Sequence, residues 1–405
     1  MINRSFVAMW LSSLSAILSG RLKELVIPLL VLGMTSSPLA AGLVVLSQQL
    51  GVILFSMPLG TWMEERNKWR VAVVTKGLTA LCMFVLSFGV FQEALSSLSI
   101  AFLLFVLGIL GLMTNTAFHV MIPAVAGRKN LVDAHTNLEG ADAISTFVGP
   151  MLAGMLLVYI GDASTLFVCG VLALLSMVFM YGMKYEEKRS DRRTETKRSF
   201  FSRVREGFAY LFINKYQSIC TVCVCVLSFI TVFVSLTIVI HAEQTLSLSP
   251  QFIGIVLSCA GIGNIIGIFL LKKFNNPSWI PFLSMLLFVS GFGVFLMVVT
   301  DMFWLVCVGM LVFDGALSMA FVIHASVHQG ITPDEVLARM RSATYVLGGV
   351  CGMLGSFLAG VLSQYFSSTV ALSVGVGVLL LAGLYVVIYR DDSVVMKEIE
   401  PMYVE

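Results

Sequence analysis

Arg21, Lys23 and Glu24 stand close together in an otherwise apolar run from about Phe6 to Met34. A run of that length can cross a bilayer, which takes roughly 20 apolar residues. At 1.5 Å per helical residue, Arg21 falls about 22 Å from Phe6 and about 20 Å from Met34, near the bilayer centre. A charge there costs roughly 2.5–3.5 kcal/mol on insertion scales and is not tolerated against lipid. Such groups call for a water-accessible cavity or a partner of opposite charge. Arg21 and Glu24 are three residues apart and share a helix face, so they can pair. Lys23 points elsewhere and needs its own partner or a route to water. Asp314, in Val312-Phe313-Asp314-Gly315-Ala316, is the second isolated charge, near the middle of another apolar run with no basic neighbour in sequence. Two chemistries fit it. It can carry a proton, or it can bridge to Arg21 or Lys23.

Weaker polar signals surround these residues. Gln48 and Gln49 are adjacent amides in an apolar run, and two neighbouring amides cannot both face lipid cheaply. Asn115 and His119 are four apart on one helix face, where they can line a cavity or simply hydrogen-bond within the packing. Asp142, with Glu139, opens a span near the cytoplasmic side and is assigned to an exit path or gate. His241 with Glu243, and His324 with His328, fall at opposite ends of their spans and are expected to be solvated. Cys220-Thr-Val-Cys223-Val-Cys225 has no His or acid nearby in sequence to complete a metal site. The glycines of Gly261-Ile-Gly263-Asn264-Ile-Ile-Gly267 have the wrong spacing for a dinucleotide fingerprint and follow no strand, so close helix packing is expected there. No Walker A sequence is present and no nucleophile–base pair is evident, so neither ATP as energy source nor an enzyme is expected.

The elements that must position these groups are membrane helices. Of the 405 residues 58% are hydrophobic and 12% charged, which excludes an ordinary soluble domain. The eight cysteines all lie in apolar runs and imply no disulfide framework. Polar punctuation divides the chain into twelve expected spans, near 6–34, 38–62, 70–91, 97–122, 141–160, 163–183, 217–240, 250–271, 279–299, 302–325, 340–364 and 369–389. The apolar start resembles a signal peptide, but the apolar character resumes after Glu24, so a retained first helix is expected. Every odd-numbered connection lacks Lys and Arg. Among the 25 basic residues, Arg21, Lys23 and Lys76 are the exceptions to that pattern. The positive-inside rule then makes both termini cytoplasmic. The chain accordingly divides into a six-helix half over 1–183, a basic cytoplasmic linker over 184–215 with a short surface helix from Ser202 to Phe212, a second half over 216–390, and a cytoplasmic tail over 391–405.

The halves repeat one another. A shift of 206 places Gly149 on Gly355, Ala153 on Ala359 and Gly154 on Gly360. Parallel six-helix repeats of this kind suit a transporter. Gly60-Thr-Trp-Met-Glu64-Glu65-Arg66-Asn67-Lys68-Trp69-Arg70 resembles the signature between spans two and three of the major facilitator superfamily, with Glu64 for its Asp, Glu65 for its first Arg and Asn67 for its Gly. The resemblance covers essentially the whole chain and implies a cytoplasmic gate at Gly60, Glu64, Lys68 and Arg70. The stretch Leu131-Val-Asp-Ala-His135 followed by Gly149-Pro150-Met-Leu-Ala-Gly154 is similar to the macrolide-efflux and enterobactin-exporter branch, in which a short turn precedes such a helix. There Pro150 is expected to bend the span, and Gly149, Gly154, Gly355 and Gly360 to admit neighbouring helices.

The resemblance implies an all-α membrane protein of twelve transmembrane helices, exporting a small amphiphilic compound in exchange for protons. Arg21, Lys23, Glu24 and Asp314 would couple the proton, and Gln48, Gln49, Asn115 and His119 would line the cavity. No cofactor beyond the proton gradient, no metal and no nucleic acid is expected. A monomer in the bacterial cytoplasmic membrane, meeting lipid and a small-molecule substrate, is the anticipated state. An importer, an uncoupled facilitator and a non-transporting sensor or partner are the rival readings.

Overall fold

A computed structural model describes residues 4–64, 66–127, 131–183, 185, 208–271, 273–274, 278–390 and 395. Among these residues the regular structure is helical and no strand forms. The helices are α1 (Arg4–Thr35), α2 (Pro38–Glu64), α3 (Lys68–Phe91) and α4 (Ser97–Ala126). A continuous stretch, Leu131–Tyr181, is two helices meeting at Gly161, whose φ of 77° and ψ of 176° no helix accommodates. Its arms are α5 (131–160) and α6 (162–181). Then come α7 (Lys215–Ile240), α8 (Pro250–Leu271), α9 (Trp279–Val299), α10 (Phe303–Gly330), α11 (Asp334–Tyr365) and α12 (Ser368–Val387).

Among the described residues ten stretches are long and apolar enough to cross a membrane, the one over Asn137–Tyr181 carrying both arms of the Gly161 break. They leave out α1, the helix that carries Arg21, Lys23 and Glu24. Two expectations change at the helix starts. The turn anticipated at Leu131–His135 is already helical, so α5 begins ten residues before the expected 141. Pro333, extended at φ −59° and ψ 145°, sets the start of α11 at Asp334 instead of near 340. Both early starts come from polar residues, which hydropathy reads as loop but whose backbone continues the helix. The anticipated surface helix lies mostly outside the described residues. Of its end, 208–210 is helical, and Leu211 is buried with Met340 and Ala343.

The chain forms two compact units. One holds α1–α6 with the Val239–Ser258 segment; the other holds α7 to Ile238 and the chain from Cys259 onward. In the first unit α5 crosses α1 at Gly149, where any Cβ would strike that of Arg21. In the second, α11 crosses α7 at Gly355, against the Phe229 carbonyl. The sequence repeat thus reappears as the same kind of contact in each unit. Gly360, the partner of Gly154 in the repeat, is buried.

Candidate functional site

The first unit builds its polar site on α1. Arg21 donates from Nη1 to Glu24 Oε2 at 3.1 Å, the expected pair three residues apart, and from Nη2 to Asp142 Oδ1 of α5 at 3.2 Å. Gly149 permits this, because its missing side chain lets α5 come against the Arg21 stem. The side chains of Arg21, Glu24 and Asp142 are 30%, 60% and 46% exposed, so the network lies on an open face of the unit. Charges open to their surroundings within membrane helices require water or a polar ligand there. Lys23 finds its separate partner in Gln48, whose Oε1 accepts its Nζ at 3.0 Å. The Gln48 carbonyl in turn lies against Gly108 of α4, which fixes the approach of α2 to α4.

Gln49 is half-buried on α2, and Asn115 and His119 are exposed on α4, with His119 edge-on to Phe118 at 6.2 Å between ring centroids. Beside them, Thr114 shares a hydrogen bond of 2.8 Å with Thr75 of α3. At the expected gate, Gly60 and Glu64 fall on the last turns of α2, and their surroundings lie outside what the structure describes. Lys68 donates to the Arg66 carbonyl at 2.7 Å, and the Arg70 backbone N–H donates to Asn67 Oδ1 at 2.9 Å. Asn67 is therefore the N-cap of α3, which accounts for that residue where the resembled signature has Gly. Around Pro150 of α5, the Pro150 carbonyl lies against Gly254 and Gly154 lies against the Pro250 carbonyl. The Met151 N–H donates to Ser258 Oγ at 3.1 Å.

The second unit centres on Asp314. Its Oδ2 accepts from Asn264 Nδ2 of α8 at 3.1 Å. Gly263 approaches the Leu311 carbonyl and Gly315, and Gly267 approaches the Gly315 carbonyl, so α8 and α10 meet backbone to backbone beside the pair. On the other side, Ser290 of α9 donates to the Phe313 carbonyl at 2.9 Å. The expected helix-packing role of the Gly261–Gly267 stretch is thereby met, and Asn264, read there only as part of that stretch, is a partner of Asp314 that the sequence did not single out. No signal in the sequence pairs it with Asp314, fifty positions away.

Two further placements, of the His324–His328 pair and of His241, differ from expectation. His324 and His328 are buried at 5% and 4% exposure, not solvated; His324 Nε2 lies 2.9 Å from the Cys220 carbonyl. His241 is buried as well. These residues sit near span ends, but neighbouring helices cover them. Lys76, an exception to the charge pattern, is buried and donates to Ser176 Oγ at 2.6 Å, which in turn donates to the Ser12 carbonyl. Among the described residues no three His, Cys, Asp or Glu converge to hold a metal.

Two units of long apolar helices, each carrying charged or polar side chains along those helices, are the architecture of a polytopic membrane protein. The family model for the Major Facilitator Superfamily matches residues 6–356, and the chain belongs to that superfamily. Among solved structures, it is similar to a point mutant of the nucleoside transporter NupG at a TM-score of 0.75 and 14% identity, covering 95% of this chain and 99% of that one. A bacterial homologue of the iron transporter ferroportin, inward-facing, matches at 0.71 and 16%, covering 96% and 99%. A bacterial homolog of the human lysosomal transporter Spinster, inward-facing and unoccupied, matches at 0.70 and 14%, covering 96% and 95%. At such identities the likeness is one of fold. A search of the curated proteins returned no match.

Proposed function

We propose that this membrane transporter exports a small amphiphilic compound in exchange for protons by alternating access. The observation that carries the reading is the Arg21–Glu24–Asp142 network, exposed within membrane helices where lipid would not tolerate it. Two carboxylates on one guanidinium leave the network with one net negative charge, which a proton or a cationic substrate can neutralise. Asp314 supplies a second candidate proton carrier. A proton crossing 100 mV is worth roughly 2.3 kcal/mol, or about a fifty-fold substrate gradient for one-for-one electrogenic exchange. The reading takes the protein to be a monomer in a bacterial cytoplasmic membrane, related to the macrolide-efflux and enterobactin-exporter branch and using no cofactor.

The test is purified protein in liposomes with an imposed pH gradient and an internal pH-sensitive dye, challenged with lipophilic cations, macrolides and siderophores. Proton movement elicited by one compound, and lost in both Asp314→Asn and Glu24→Gln while the variants stay folded, is the expected result. Full activity in both variants overturns proton coupling through these residues. One observation favours a second reading, an uncoupled facilitator: Arg21 is already neutralised within its own unit. Transport indifferent to a protonophore would select it.

A further inference from the structure

We infer that Asn264 is the positioning residue of Asp314, holding its carboxyl group on the α8–α10 seam whether that group is ionised or protonated. The inference rests on the reading of Asp314 as a proton carrier and adds the group that makes both of its states tenable inside the membrane.

Within α8, α9 and α10, Asp314 is the sole acid; the other titratable side chains are Cys259, Cys307, His324 and His328. Cys259 and Cys307 hydrogen-bond to each other across α8 and α10, and His324 is engaged with the Cys220 carbonyl next to His328. On α8, the polar group that meets Asp314 is the Asn264 amide, at 3.1 Å. A carboxylate only accepts hydrogen bonds, whereas a carboxylic acid must also donate one. A lysine or arginine partner would serve the first form alone. A primary amide serves both, presenting Nδ2–H to the carboxylate and, after rotation about its terminal torsion, Oδ1 to the acid O–H. Its neutrality matters too, because the amide itself carries no charge that protonation of Asp314 would leave unpaired.

The backbone geometry keeps the two groups in reach. Gly263, beside Asn264, and Gly315, beside Asp314, touch each other across the helices, so the pair stands where the two backbones are in contact. Ser290 ties the Phe313 carbonyl to α9 and restrains the same turn of α10 from the opposite side. Asp314 is thus confined by its own helix turn and by a partner indifferent to its charge.

Infrared difference spectroscopy of the full chain in liposomes, recorded across pH without any substrate, tests this. The carbonyl band of protonated Asp314 is identified as the one missing in Asp314→Asn. In Asn264→Leu, which is similar in size and has no amide, we expect that band to shift to higher wavenumber as the carboxyl loses its hydrogen-bond partner. Asn264→Ala, which opens space instead of altering shape, is read in its place if the leucine variant does not fold. An Asp314 band that keeps its position in the substituted protein overturns the role of Asn264 and leaves proton uptake at Asp314 standing. Identical spectra for the native chain and Asp314→Asn overturn the proton-carrier reading, and the inference with it.

Discussion

Arg21 is held by two carboxylates from two helices, and its position depends on the side chain that Gly149 lacks. A Cβ there would lie 2.5 Å from Arg21 Cβ, so Gly149→Ala must displace α5 or the arginine stem. Overpacking of this kind costs about 1–3 kcal/mol. Gly20, one residue before Arg21, has open space around its missing side chain. Gly20→Ala should therefore be neutral or mildly stabilising, since Gly within a helix is disfavoured by roughly 0.5–1 kcal/mol relative to Ala. Thermal unfolding of the two variants in detergent separates a site-specific clash from a general intolerance of alanine. Equal destabilisation by both would remove the special role of Gly149. The spacing of Arg21 and Glu24 was enough to foresee their pair, because three residues along a helix fix a shared face. Asp142 could not be foreseen as the second partner, because that contact depends on how two helices cross.

At the scale of elements, polar side chains and glycine contacts occur together. Gln48 lies where Gly108 admits α2 to α4, Arg21 where Gly149 admits α5 to α1, and Asp314 where Gly315 and Gly263 join α10 to α8. Close backbone approach lets a short polar side chain reach across the interface, which is how Asn264 meets Asp314. The α5–α6 junction uses glycine differently. Gly161 adopts φ 77° and ψ 176°, a region essentially restricted to glycine. Gly161→Ala should cost about 1–3 kcal/mol of stability in the same unfolding measurement, although space around the residue is open. An unchanged transition would mean that the junction readily adopts another backbone conformation.

For the whole molecule, the charge asymmetry carries a topology that labelling can test. Glu93 and Asp301 lie in connections without Lys or Arg, whereas Lys68 and Arg341 lie toward the basic ends of their helices. With the native cysteines replaced, Glu93→Cys and Asp301→Cys should react with a membrane-impermeant maleimide added outside intact cells. Lys68→Cys and Arg341→Cys should react only after the membrane is opened. The reverse pattern would invert the orientation expected from the positive-inside rule.

The all-helical membrane fold and the internal repeat were legible in the sequence, because hydropathy and glycine spacing are local properties that a bilayer constrains strongly, whereas the starts of α5 and α11 were misplaced where polar residues continue the helix. The superfamily was legible for the same reason, since its signatures lie at helix ends and bends. The partners of the intramembrane charges were only partly so. Arg21–Glu24 follows from spacing along one helix, while Lys23–Gln48, Arg21–Asp142 and Asn264–Asp314 each join residues on different helices. The burial of His324, His328 and Lys76 belongs to the same category. Those facts are set by how helices pack, and a membrane that demands apolar helices leaves their crossing points to small residues whose partners lie far away in the chain.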